Sequence, residues 1–413
     1  MKLLFVTKIL PRAGFSTGET IIYQRLRGLA ARGHQVSLAA FRVEPEQQPD
    51  QALREALHTI EVLPPPRERP WPAYLAGMLR TNVPPHFAAV YDPRMRRLVG
   101  DLVERERHDI VIAEYSSMGQ YLCHNPYLPA VRKVISCHRS ATMMCRLAVD
   151  VLGSSPASLR QRLQLIGLQR FEFGLYEAVD RILVLTPWER YRLLSYAPDL
   201  RISVVPCGID CCAAAGHPGG PPPPRPTSPP VVLFTGNYFE RDNVDAVLWF
   251  GRKAWPAVRA RHPDAIFRVV GNGVTPAMYR LARPRSGIEF VGRVTDMSAC
   301  LQAATLFVCP VRLGTGMRGK VLEAMAAGVP VVSTTHGMEG IPAQNGDQCL
   351  LADHPRLLAQ HVNLLLEDDD LRRRLSRDAR AFAAARFSWP RVIEHLESVL
   401  LELAANQGQR CLG

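Results

Sequence analysis

The chain has 413 residues, 47% of them apolar and 21% charged. That balance excludes a disordered or fibrous protein and leaves room for two or three packed domains. The formal net charge of +12 is spread over both halves, which excludes a dedicated nucleic-acid arm but permits attraction to anionic lipid or anionic sugar nucleotides.

No stretch of about 18 apolar residues occurs, so no membrane-spanning helix is expected. The ten cysteines form no CxxC pair and no Cys/His zinc spacing. Cys137, Cys300 and Cys309 sit in apolar runs and read as small core residues, and the vicinal pair Cys211–Cys212 reads as incidental. This usage points to a reducing compartment. The apolar run at Met1–Lys8 is too short for a signal peptide and reads as a first strand. A cytoplasmic protein is expected.

In chain order, Leu3–Val6 is a buried strand, and a loop with Gly14 and Gly18 follows. A helix from about Ile21 to Arg32 closes at Gly33, and Gln35–Ala40 is the next strand. This is a βαβ opening with a loop at the carboxyl end of strand one, where open α/β sheets bind ligands. It lacks a GxGxxG fingerprint, and its glycines also suit a plain turn. Residues 44–92, rich in Pro and Arg, read as helices and loops over the sheet. Pro93–Arg107 reads as an amphipathic helix. Strands follow at His108–Ala113, with Glu114 and Tyr115 at the carboxyl end, and at Val131–Ser136, ending in Cys137-His138. A histidine just past a strand end lies on the ligand side of such a sheet, although a lone histidine is more often structural. Arg160–Ala178 reads as a long helix. Its apolar positions Leu159, Leu163, Ile166 and Phe173, with Arg160, Arg162 and Arg170 between them, suit a core-plus-solvent helix or contact with an anionic membrane. A strand at Arg181–Thr186, a helix from Trp188 and a strand at Ile202–Asp210 complete the domain.

Residues 211–230 form a Pro/Gly-rich linker. The second domain opens with a strand at Val231–Phe234 running into Thr235-Gly236-Asn237-Tyr238. A helix spans about Val244–Arg261. Ile266–Val270 leads into Gly271-Asn272-Gly273, and Ile288–Val291 into Gly292-Arg293-Val294. Leu306–Cys309 then ends at Pro310, before the sequence VRLGTGMRGKVLEAMAAGVP at 311–330. Gly314, Thr315 and Gly316 make a loop whose backbone can approach a ligand closely. Met317 and the cations Arg318 and Lys320 follow, and then a helix stopped by Gly328 and Pro330. Glycines and two cations at a helix start suit an anion, and two cations suit a diphosphate. Glu323, in the first turn of an otherwise apolar helix, reads as a buried carboxylate. Either it accepts from a vicinal diol such as a ribose, or it is a helix N-terminal charge beside a solvated basic face. From the residues alone both readings stay open.

This segment resembles the donor-site signature of the retaining glycosyltransferases of family 4, in the version seen in a bacterial polysaccharide and cell-surface subgroup. The resemblance is strong over residues 231–400 and weak over 1–210. It implies an α/β GT-B fold: two doubly wound Rossmann-like domains facing a cleft. These would be residues 1–210 on the acceptor side and 231–386 on the donor side, with a last helix and tail at 387–413 crossing back. Glu323 matches the family's second signature glutamate, which holds the ribose. The first falls on Thr315, a departure that leaves the sugar's identity open. The resemblance places Gly18 opposite the donor phosphates, His138 beside the transferred sugar, and Gly292-Arg293-Val294 against the base. Gly236 belongs to the same donor-side loop, where relatives carry a basic pair and this chain offers Asn237 and Asn243 with Arg241 nearby, so Arg318 and Lys320 are expected to carry more of the phosphate charge.

The implied reaction moves a sugar from a nucleoside diphosphate sugar to a hydroxyl acceptor (glycan, lipid-linked or small) with retention. No DxD-type pair sits in a suitable loop, and Glu-Asp-Asp-Asp at 367–370 reads as a solvated turn, so no catalytic metal and no cofactor is expected. Two alternatives are a nucleotide-sugar epimerase of the same fold and a non-catalytic partner protein, the latter motivated by Thr315. A Schiff-base phosphorylase is disfavoured, because Lys253 is the only lysine of the second domain besides Lys320.

Overall fold

The structure is a computed structural model that describes residues 1–12, 17–44, 46–67, 70, 73–74, 78, 81–152, 156–210 and 229–405. The chain divides into two compact units, Met1–Pro206 with Val392–Gly413, and Cys207–Arg391. The linker read at 211–230 lies outside the described residues except for its last two positions, and Gly14 and the Cys211–Cys212 pair also lie outside them.

The first unit holds a seven-stranded parallel sheet in the order β3-β2-β1-β4-β5-β6-β7. The strands are β1 (Lys2–Thr7), β2 (Gln35–Phe41), β3 (Thr59–Leu63), β4 (Ile110–Glu114), β5 (Arg132–Cys137), β6 (Arg181–Val184) and β7 (Ile202–Val204). The inner strands are continuous apolar runs because helices cover both faces; in β1 every residue after Lys2 is buried. The edge strand β3 corrects the reading of 44–92 as helices and loops. All five of its residues are only half-buried, so the sequence lacks the apolar run that marks its neighbours. The helix Pro156–Glu177 forms where one was read; Phe173 is buried and Arg162 and Arg170 are exposed. The side chains of Leu159, Arg160, Leu163 and Ile166 lie outside the described set.

The second unit holds a six-stranded parallel sheet in the order β10-β9-β8-β11-β12-β13. Its strands are β8 (Val231–Thr235), β9 (Ile266–Val270), β10 (Ile288–Gly292), β11 (Leu306–Cys309), β12 (Val331–Ser333) and β13 (Leu350–Leu351). The single helix read at 244–261 is two helices, Arg241–Lys253 and Trp255–Arg261. Pro256 has no N–H to continue the first, but it suits the opening turn of the second. Cys137 and Cys309 are core residues, whereas Cys300 is only half-buried.

Each sheet reverses its strand order once, between β1 and β4 and between β8 and β11. In parallel sheets all carboxyl ends lie on one edge, and the loops leaving the two strands at a reversal splay apart to open a crevice. The loops after β8 and β11 carry Gly236–Asn237 and Gly314–Lys320. The loops after β1 and β4 carry the approach to Gly18 and Tyr115.

Candidate active site

In the second unit the helix Gly319–Ala326 starts at Arg318, which provides no side-chain cap. The N–H groups of the first turn are therefore left without a capping side chain, and the dipole's positive end faces the crevice. Gly314 and Gly316 have φ of 86° and 95°, conformations that exclude most side chains. A Cβ on Gly314 would lie 2.8 Å from Asp242 Oδ2 and 3.2 Å from Arg318 Nη2. Thr315 and Met317 are buried between and behind these turns.

The two cations are held differently. Arg318 is buried, donating from Nη1 to Asp242 Oδ2 at 3.0 Å and from Nη2 to Leu313 O at 2.9 Å. Its charge is thus largely compensated by Asp242. The Lys320 ammonium donates to Thr235 O at 2.8 Å and to Asn243 Oδ1, and lies 4.4 Å from the Phe234 ring centroid. Both hydrogen-bond partners are uncharged, so one N–H and most of the positive charge remain for a ligand. Burial lowers the Lys320 pKa from the ordinary lysine value. Of the two cations expected to serve a phosphate, Lys320 is thus the one without a carboxylate partner.

Glu323 is a correction. It lies in the second turn of the helix, on the same face as Lys320, and its side chain is exposed. Its carboxylate has no hydrogen-bond partner among the described residues. Although the residue reaches solvent, the protein around the carboxylate weakens its hydration. That surrounding raises its pKa, with Lys320 opposing.

The loop after β8 meets the same place. Gly236 is half-buried and Asn237 exposed, and Asn243 Nδ2 donates to Asn237 O at 2.9 Å. Asn243 thereby ties the β8 loop to Lys320. Gly271 has φ of 142°, and a Cβ there would lie 1.7 Å from Gly236 O, so the β8 and β9 loops touch backbone to backbone. Gly271 N in turn donates to Gly292 O at 2.8 Å. Gly292, exposed Arg293 and half-buried Val294 thus stand on the same edge, beyond β9. The structure brings Gly236, Asn237, Gly314, Thr315, Gly316, Met317, Arg318, Lys320 and Glu323 around one crevice, with Gly292–Val294 at its far side. Sequence reasoning missed Asp242 and the supports behind the loop. Glu339 Oε1 accepts from Gly316 N at 3.3 Å, and His336 Nε2 lies 2.9 Å from Gly314 O.

His138 and Gly18 belong to the first unit. A Cβ on Gly18 would lie 2.4 Å from the Tyr115 hydroxyl. The Tyr115 ring stacks on His138 at 4.4 Å, and Lys8 Nζ sits 4.0 Å from the Tyr115 centroid. His138 Nε2 is 2.6 Å from Glu114 Oε2, and Arg25 Nη1 donates to Glu114 Oε1 at 3.2 Å and to Ser136 Oγ at 2.7 Å. Glu114, Arg25 and Ser136 are buried. Burial pushes the Glu114 pKa up, but Arg25 and the His138 hydrogen bond outweigh it and hold the pKa at about 2. Tyr115 has φ of 76°, an outlier for an aromatic residue that the stack and the Gly18 contact hold in place. Sequence reasoning noted Glu114 and Tyr115 at the strand end but assigned them no part. Among the described residues no group of three His, Cys, Asp or Glu side chains is arranged to hold a metal, and no helix is long and apolar enough to cross a membrane.

The fold is GT-B, the class of two-domain glycosyltransferases with paired Rossmann-like units. Sucrose-phosphate synthase from Thermosynechococcus elongatus superposes with a TM-score of 0.69 at 17% identity, covering 98% of this chain and 100% of that one. Anabaena HepE, solved with UDP and glucose, superposes with a TM-score of 0.63 at 16% identity, covering 97% and 100%. Within that class, residues 18–212 match the model for Glycosyltransferase Family 4, and residues 229–368 match that for glycosyl transferases group 1. Each half of the chain is therefore similar to a glycosyltransferase family model. A GDP-mannose-dependent monoacylated alpha-(1-6)-phosphatidylinositol monomannoside mannosyltransferase of Corynebacterium glutamicum is 33% identical over 184 residues, 41% of this chain and 47% of that protein. The chain spans half or less of the length of such curated relatives.

Proposed function

We propose that the chain is a glycosyltransferase that moves a sugar from a nucleoside diphosphate sugar to a hydroxyl acceptor, with retention of configuration. The observation that carries this reading is the pairing of Lys320 with Glu323. A cation with only uncharged partners stands at an uncapped helix start, and a carboxylate open to solvent lies one turn along the same face. The first suits a diphosphate and the second a ribose diol. Lys320 and the loop amides then stabilise the charge that develops on the leaving diphosphate, with Arg318 holding the loop in shape through Asp242 and Leu313 O. Relatives named for GDP-mannose and neighbours solved with UDP support a sugar nucleotide and leave the base open. The acceptor is a glycan or a lipid-linked saccharide, reached from the cytoplasm with peripheral contact to anionic lipid, and no metal or cofactor takes part.

Calorimetry tests the donor site. UDP, GDP, ADP and their sugars are titrated into the intact protein, with and without Mg²⁺, and into Lys320→Ala and Glu323→Ala. Micromolar binding of one nucleotide, lost in both variants, is expected. If no nucleotide binds the intact protein under either condition, the enzyme reading falls and a partner protein on this scaffold replaces it.

A further inference from the structure

The crevice of the first unit contains a buried ion pair that the donor-site reading does not use. Glu114 ends β4, and Arg25 reaches it from the helix Thr17–Ala31. Ser136 on β5 is its register partner. With Arg25 at 3.2 Å, Glu114 is ionised and can only accept hydrogen bonds. At 2.6 Å, the His138 Nε2 facing it must therefore be the donor. Burial opposes a second proton on the ring and outweighs the pull of Glu114 towards it, and Arg25 and Lys8 add to the opposition. Tyr115 is stacked on the ring, and Glu19 acts electrostatically on the Tyr115 hydroxyl. The His138 side chain is itself buried, and its Nδ1 has no hydrogen-bond partner among the described residues. The next residues are fixed as well. Glu172 accepts from Ser140 Oγ and from the N–H groups of Ala141 and Thr142, so the His138 loop has little freedom to turn the ring over.

We propose that Glu114, clamped by Arg25, is a positioning residue that fixes His138 as the Nε2–H tautomer, so that this crevice presents the bare Nδ1 lone pair to a hydroxyl of the carbohydrate substrate. The inference rests on the glycosyltransferase reading for its ligand, but not for its geometry. An acceptor atom here excludes anionic groups such as phosphate, which need donors, and selects neutral hydroxyls. It also divides the work between the units. The second unit offers donors to an anion, and the first offers an acceptor to an O–H.

The test is the ¹⁵N chemical shift of the His138 ring in the full chain at neutral pH, assigned by comparison with His138→Gln. The expected spectrum has Nε2 protonated and Nδ1 in the unprotonated range. Glu114→Gln is then expected to reverse the tautomer. Arg25 keeps the amide oxygen on its own side, the amide NH₂ turns to Nε2, and the proton moves to Nδ1. Transfer by that variant should fall about 10- to 100-fold, the size of one hydrogen bond turned from made to opposed, with nucleotide affinity unchanged. If donor hydrolysis without acceptor falls in step, the hydroxyl belongs to the transferred sugar. If only transfer falls, it belongs to the acceptor. Either pattern supports the proposal. A wild-type ring protonated at Nδ1 or at both nitrogens overturns it, as does a Glu114→Gln protein that reverses the tautomer and transfers at the wild-type rate, or one that folds and keeps it. Should Glu114→Gln not fold, the wild-type spectrum decides alone. A failure of nucleotide binding would instead count against the donor-site reading and leave the tautomer result standing.

Discussion

Replacing Lys320 with Ala removes a cation whose protein partners are both uncharged, so the loss should fall mainly on ligand binding. Nucleoside diphosphate affinity is expected to drop about 10- to 100-fold, the value of a charge-assisted hydrogen bond, with a modest change in stability. Arg318→Ala should behave in the opposite way. It strips the partner from Asp242, a carboxylate 11% exposed, and breaking such a pair costs about 3–5 kcal/mol. Urea denaturation beside calorimetry separates the two, and equal effects of both variants on both measurements would sink the distinction. Glu323→Ala completes the set. Its carboxylate is exposed and makes no hydrogen bond among the described residues, so stability should move by no more than about 0.5 kcal/mol, while nucleotide binding weakens. A large fall in the melting temperature would mean that Glu323 is structural.

At the scale of elements, the glycines of the second sheet's carboxyl edge are not equivalent. Gly271 presses against Gly236 O, where a Cβ has no space, and Gly292, at φ of 74°, faces nothing within 4 Å. Gly271→Ala should therefore unfold or badly destabilise the second unit. Gly292→Ala should cost only the backbone strain, about 1–2 kcal/mol. Circular dichroism melts of both variants check the order, and a Gly271→Ala protein that melts like wild type would refute the contact. The sequence exposed much of this edge, because turn glycines, apolar strands and a helix with a cationic start leave local patterns. The loop glycines and cations that the structure gathers around the helix Gly319–Ala326 were legible for that reason. Asp242, Asn243 as a bridge, and Glu339 were not, since each acts on residues tens of positions away and no local spacing records such pairings. Glu114 ended an apolar run like any strand terminus, and only the return of Arg25 from another element shows its charge to be compensated. The half-buried strand β3 and the Pro256 break were missed because the first lacks an apolar run and the second lies inside one continuous helical pattern.

At the scale of the whole molecule, the buried groups of the first unit set its acid tolerance. Native Glu114 titrates at about 2 against an ordinary value of 4.5. The unfolded chain therefore takes up the proton first, and stability present above about pH 4.5 is lost on the way down to 2. The shift corresponds to about 3 kcal/mol. His138 acts with the same sign at higher pH. Burial lowers its native pKa below the ordinary 6.5, so the unfolded state binds the proton first and stability declines as pH falls below that value. Denaturation midpoints should fall from pH 7 to pH 3, and Glu114→Gln should flatten the lower part of the decline. A slope unchanged by that variant would place the acid sensitivity elsewhere.

Lys8 and Lys320 are two of only five lysines, one in each unit, and burial lowers the pKa of both. A lowered pKa means more free amine at a given pH, and hence faster attack on an electrophile of small enough size. Limited reductive methylation followed by peptide mass spectrometry would then mark each crevice with its own natural reporter. A nucleotide that fills the second crevice should slow labelling at Lys320 and spare Lys8, so occupancy of each crevice could be followed without engineering a probe into either.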